Sequence, residues 1–280
     1  MEHYMDHASV AAFERMLIED EKCRSTRKKY VRDVNALLSY LGGPGCVTKA
    51  SVIAYKQHLT SRYAIATVNG KLASINSFFK KLGWYDCVVK SLRVQQSAFR
   101  LPERELTKAE YYRLLRTAKE RGNERLYLLM QTLCSTGIRI SELPFITVEA
   151  LSAGRARVSL KGKTRTVLLP AALCRELRRY VRTRRIRSGS VFVTSGGRPV
   201  DRSNVFREMK ALCAEAGVDA RKVFPHNLRH LFACTYYQAE KDISHLADLL
   251  GHSSINTTRI YLMKSSAEQA RQLEHLGLVI

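Results

Sequence analysis

The sequence predicts a mainly α-helical protein with a small β-sheet, divided into two domains. Three observations carry this. Apolar residues recur at helical spacing through roughly the first 95 residues. The periodicity then weakens in QSAFRLPEREL, around Pro102. A single strand–turn–strand pattern, ARVSLKGKTRTVLLP, stands out in the second half.

The elements follow in order. AAFERMLIEDE puts Phe13, Met16 and Leu17 on one helix face. STRKKYVRDVNALLSYLGG repeats the pattern with Tyr30, Val34, Leu37, Leu38 and Leu41, and Gly42, Gly43, Pro44 and Gly45 end it. KASVIAYKQHLTSR and ATVNGKLASINSFFKKLGW predict two further helices, and no alternating strand is evident there. The expected organisation is a helical domain over residues 1–98, a linker over 99–106 and a second domain over 107–280. Thr107 and Glu110 form a capping box that opens the second domain. NERLYLLMQTLCSTG is apolar enough for a buried helix that stops at Gly137. ARVSL and RTVLLP are the strands of a hairpin around KGK, and VFVT is a third candidate strand. Helices are expected over 171–185, 203–216, 226–239, 243–250 and 256–262, with an amphipathic helix over 265–276 carrying Ala267, Ala270, Leu273 and Leu276.

Composition narrows the partner. The 280 residues carry a net charge of +22, and both halves are basic, so no single tail accounts for it. Such a surface suits a polyanion, because each phosphate it neutralises releases condensed counterions. The N-terminal DNA-contact candidates are Arg24, Arg27, Lys28 and Lys29, together with Lys71. The start lacks a signal peptide's basic and apolar regions, and no apolar run reaches the ~20 residues that span a bilayer. The seven cysteines are scattered without a C-x-x-C, which argues against a disulfide framework and a cysteine-built zinc site. A cytoplasmic protein without membrane contact is expected.

The chemistry concentrates in Arg139 (TGIRISEL), Lys161 (SLKGKTRT), His226 and Arg229 (HNLRH), His252 (LGHSS) and Tyr261 (TTRIYL). Each alone is ordinary: a helix-surface arginine, a hairpin lysine, a loop histidine, one of 13 tyrosines. Together they suit a phosphodiester. Guanidinium is planar, always charged and bidentate toward the nonbridging oxygens, which gain charge under attack. A tyrosine has an ordinary pKa of about 10 and needs a base or a cationic setting to attack. His226 suits the base, Lys161 the acid that protonates the leaving hydroxyl, and His252 a hydrogen bond to the phosphate. His226 and His230 stand four apart, as in some zinc sites, but no acidic third ligand is near and HExxH is absent. No metal or cofactor is expected.

Taken in this order, the motifs resemble the tyrosine recombinase (phage integrase) family, including its Xer-type and mobile-element members. TGIRISEL resembles the family's first arginine box and HNLRH its H-x-x-R box. LLGHSSINTTRIY resembles its last box, with nine residues from His252 to Tyr261. KGKTRTVLLP resembles its lysine hairpin, and the resemblance spans roughly residues 105–265. It implies a helical core-binding domain followed by an α+β catalytic domain, closing as a C-shaped clamp on duplex DNA. It implies that Tyr261 forms a 3′-phosphotyrosyl link and frees a 5′-hydroxyl. Arg139 and Arg229 would bind the scissile phosphate, Lys161 protonate the leaving oxygen, His226 move protons and His252 support the phosphate. Glu142 would orient its neighbours. Lys163 competes with Lys161, two residues away on the same face of an ideal strand. The resemblance also implies a homotetramer on two double-stranded DNA sites, strand exchange through a Holliday junction, and docking of helix 265–276 on a neighbouring protomer. Two other readings are a type IB topoisomerase-like relaxing enzyme and a catalytically dead DNA-binding regulator; the occupied catalytic positions speak against the second.

Overall fold

The computed structural model describes residues 2–93, 104–160, 163–194, 196–252, 254–262 and 274–275. The expected linker core, the hairpin tip with Lys161, and nearly all of the expected terminal helix 265–276 lie outside the described residues. The chain divides into two compact units, Met1–Gln96 and Ser97–Ile280.

The first unit is helical, as its periodicity predicts. Its helices are α1 (His7–Glu19), α2 (Arg24–Tyr40), α3 (Lys49–Thr60) and α4 (Ile65–Lys81). Capping boxes start two of them: Asp6 with Ser9 opens α1, and Thr48 with Ser51 opens α3. Each box satisfies otherwise orphaned amides of the first turn. The inward faces bring together Phe13, Leu17, Val34, Leu37, Leu72, Ile75 and Phe78, all of them buried. The rings of Phe13 and Phe78 meet edge to face at 5.4 Å, a favourable quadrupole arrangement. Two short strands were not foreseen. β1 (His3–Met5) pairs antiparallel with β2 (Gly45–Val47), Tyr4 opposite Cys46. His3 stacks on Trp84 and its Nε2 lies 2.7 Å from Asp86 Oδ1, which fixes the start of the chain to the end of this unit.

The second unit opens with α5 (Lys108–Glu120), capped by Thr107 and Glu110 as the T-x-x-E signature requires. α6 (Glu124–Thr136) buries Leu126, Leu128, Leu129, Met130 and Leu133. It ends at Gly137 with φ +63. A Cβ there would overlap the Phe232 ring, so the position needs glycine for space as well as for conformation. ISEL forms the start of a 3-10 turn, Ile140–Phe145; Pro144 removes an amide that an α-helix would use. α7 (Val148–Ala153) leads into the hairpin of β3 (Arg155–Leu160) and β4 (Lys163–Leu168), in which Val158 faces Arg165 and Leu160 faces Lys163.

α8 (Ala171–Thr183) and α9 (Arg202–Ala211) follow. The candidate strand VFVT is not one: Val193 forms only an isolated bridge to Pro199. The last described elements are α10 (Pro225–Glu240), α11 (Ile243–Leu250), α12 (Ile255–Arg259) and the 3-10 turn Ile260–Leu262. α10 packs on α6 and on α11. The termini of these helices converge on the motif residues.

Candidate active site

The centre of the site is Arg229. It lies in the second turn of α10 and is 1% exposed. Nη1 donates to the Gly137 carbonyl at 2.6 Å, and Nη2 donates to the Leu250 carbonyl at 2.7 Å. These carbonyls belong to the C-terminal ends of α6 and α11. Both helices end on a glycine in the left-handed region, Gly137 and Gly251. A helix C-terminus carries partial negative charge, so two of them converge on the buried cation.

His252 completes the shell. Its Nε2 lies 2.9 Å from Arg229 Nη2. Arginine only donates, so Nε2 accepts, and the ring proton of the neutral imidazole sits on Nδ1. Nδ1 then donates to Thr258 Oγ1 at 2.9 Å, and Thr258 is fully buried. Burial, together with the charges of Arg229, Arg139 and Arg165, pulls His252 down to about 4, so it is neutral at pH 7. Burial and Arg139 lower Arg229 to about 10, which leaves it charged.

Tyr261 is 5% exposed on the turn after α12. Its ring stacks on His252 at 6.1 Å and meets His230 edge to face at 5.0 Å. Its hydroxyl is near enough to Arg229 to favour the charged guanidinium. His230 therefore packs on the predicted nucleophile. Its Nε2 also lies 3.6 Å from Glu105 Oε1.

Arg139 approaches from the α6–α7 connection as the N-cap of the 3-10 turn. Its backbone amide donates to Glu142 Oε2 at 2.8 Å and its Nη1 donates to Oε1 at 3.1 Å. Glu142 is buried, yet the Arg139 amide and the Arg165 and Arg139 guanidiniums hold its carboxyl below the usual range. The Arg139 side chain stays 43% exposed, so it faces solvent where Arg229 does not. His226, in the first turn of α10, is lowered by the protein crowding its ring and then by Arg229 and Arg139.

The structure thus brings Arg229, His252 and Tyr261 into direct contact, with Arg139, Glu142 and His226 beside them. Lys161 lies outside the described residues, and Lys163 is placed only as the first residue of β4. Sequence reasoning missed Thr258 and Arg165. The signal for Thr258 is its position in TTRIY, three residues before the tyrosine, one helical turn in which a hydroxyl faces back toward the preceding loop.

In the first unit the basic candidates separate. Lys29 Nζ donates to Asp33 Oδ2 at 2.9 Å, to the Gly70 carbonyl at 2.7 Å and to Ser74 Oγ at 2.9 Å. Lys71 Nζ lies 3.8 Å from Asp33 Oδ1 and 5.3 Å from the Tyr63 ring centroid. Both ammonium groups answer the buried carboxylate of Asp33. Arg24 and Lys28 are exposed and Arg27 is half-buried. Lys28→Ala is expected to weaken binding to duplex DNA about 3-fold with an unchanged melting temperature. Lys29→Ala should cost about 1 kcal/mol of stability, since its ion pair is half-exposed. Fluorescence anisotropy and thermal melts separate the two; the reverse pattern would contradict the assignment.

Comparison with known proteins bears on the family and the fold. The model of the phage integrase family matches residues 104–268. The tyrosine recombinase XerA of Pyrococcus furiosus is 31% identical over 228 residues, covering 76% of this chain and 77% of that protein. Among solved structures, the Tn1549 transposon integrase in complex with transposon right end DNA has a TM-score of 0.74 at 17% identity, covering 96% of this chain and 99% of that one. A lambda integrase tetramer bound to a Holliday junction has a TM-score of 0.72 at 17% identity, covering 91% of this chain and 76% of that one. The chain belongs to the phage integrase family and is a tyrosine site-specific recombinase.

Proposed function

We propose that the protein cleaves and rejoins double-stranded DNA through a covalent 3′-phosphotyrosyl intermediate on Tyr261. The observation that carries this reading is the contact of Tyr261 with both Arg229 and His252. The Arg229 guanidinium suits a nonbridging phosphate oxygen, and Arg139, with its exposed side chain, suits the other.

The reaction runs as follows. The Tyr261 oxygen attacks the scissile phosphorus while His226 takes its proton. Arg139 and Arg229 stabilise the charge that builds on the nonbridging oxygens. Lys161 delivers a proton to the leaving 5′-oxygen, with Lys163 as the alternative donor. The bond from phosphorus to the 5′-oxygen breaks, and the bond to tyrosine keeps its energy in an ester. The 5′-hydroxyl of a second strand then attacks that ester and releases the tyrosine without an external energy source. This exchange suits recombination between two sites, through a Holliday junction, by a homotetramer. The lambda integrase tetramer on such a junction, similar in fold, supports that assembly. The terminal segment 265–276 is the proposed link between protomers, and Arg24, Arg27 and Lys28 are proposed phosphate contacts of the first unit.

The His252 Nε2 lone pair holds Arg229 in this scheme.

On a nicked suicide duplex, Tyr261→Phe is expected to abolish the covalent adduct, read on a denaturing gel, while binding DNA as the wild type does; an adduct of wild-type yield would refute the chemistry. The pH profile gives a second test. His226 is shifted below its ordinary 6.5, so it remains an unprotonated base at pH 6.5 and above. Single-turnover cleavage should hold to below that value before its acid limb begins, and His226→Gln should remove the limb. A limb above pH 7 would contradict the assignment.

A further inference from the structure

Arg165 has no part in the chemistry above, yet it touches both halves of the site. It lies on β4, opposite Val158 in the hairpin. Its Nη2 donates to Glu142 Oε2 at 2.6 Å, and its Nη1 donates to the Leu249 carbonyl. Glu142 in turn holds the backbone and guanidinium of Arg139. Leu249 lies in the last turn of α11, three residues before His252. The stem of Arg165 lies flat against Gly251: a Cβ there would sit 2.5 Å from Arg165 Cδ and 2.8 Å from its Nε. Gly251 also holds φ +63, so the packing and the turn both call for glycine.

One side chain, 16% exposed, therefore ties three segments together: the hairpin, the Arg139–Glu142 turn and the end of α11. We propose that Arg165 is a positioning residue of the recombination reaction, a clamp that sets the spacing between Arg139 and His252 across the scissile phosphate. This rests on the reading of Arg139 and His252 as phosphate ligands. Arg165 itself spends its terminal donors on the protein. Its charge adds to the field at His252, but the clamp acts through geometry: a planar fork reaches two acceptors that one ammonium cannot span.

The test compares a phosphodiester with a methylphosphonate at the same scissile bond, in single-turnover cleavage of a nicked suicide duplex. A methylphosphonate lacks one anionic nonbridging oxygen and so depends less on the cations that surround it. Arg165→Met is expected to lose about 30-fold in rate on the phosphodiester but under about 5-fold on the methylphosphonate. Arg165→Lys should fall between wild type and Arg165→Met on the phosphodiester. Equal losses on both substrates would mean a general structural defect and overturn the proposal, as would wild-type rates for both variants. If Arg165→Met fails to fold, judged by its thermal melt, the substrate ratio of Arg165→Lys decides by the same criterion. Tyr261→Phe runs alongside. If it still forms adduct, the chemistry fails and the clamp with it. If it forms none while the Arg165 variants cleave normally, the clamp alone is wrong.

Discussion

The site is organised around a buried guanidinium. Arg229 stays charged at neutral pH, and an unpaired buried charge costs several kcal/mol. The fold answers with the carbonyls at the ends of two helices. Each of those helices must stop sharply, in the left-handed region, for its last carbonyls to face inward. Glycine supplies this at Gly137 and Gly251, and at both places a Cβ would collide with a neighbouring side chain. TG before the first arginine and LLGH after the second are thus two solutions to one electrostatic problem. Motifs about 90 residues apart in the chain meet because each contributes an acceptor or a neighbour to the same cation.

That cation then sets the state of everything near it. Arg139, Arg165 and Arg229 gather with Glu142 as the buried carboxylate between them, so the surroundings stay positive. Burial first, and this positive field second, keep both imidazoles neutral, His252 strongly and His226 more mildly. A neutral His226 suits proton abstraction. A neutral His252 suits the acceptor role it has toward Arg229, and that donor fixes the ring proton on Nδ1, beside Thr258. The excess of positive charge is also what a phosphate would relieve, which links affinity for DNA to the readiness of the site.

Much of this was legible in the sequence. Helical spacing found the first unit's core because its helices bury one clear stripe each, and the Thr107–Glu110 box marked the first turn of α5. The hairpin was visible through its turn chemistry. The β1–β2 pair was not, since three-residue strands some 40 positions apart leave no alternation to detect. VFVT has the composition of a strand but finds no partner beyond one bridge, because pairing depends on a neighbour that composition does not name. The motif residues were legible as a set, though their hydrogen bonds were not. Lys29 and Lys71 show the same limit from the other side: a charge is visible in a sequence, while the buried Asp33 that captures it is not. Arg165 looked like one more basic residue of a strand until its two acceptors, distant in sequence, were in place.

The central claim is that Arg229 acts on the reacting phosphate and is held for that purpose by the two helix ends. The most direct measurement is single-turnover cleavage and DNA affinity for Arg229→Lys, which keeps the charge but not the fork. Cleavage should fall about 100-fold while the dissociation constant changes less than about 3-fold. Parallel losses of similar size would contradict the account and make Arg229 a structural or binding residue instead.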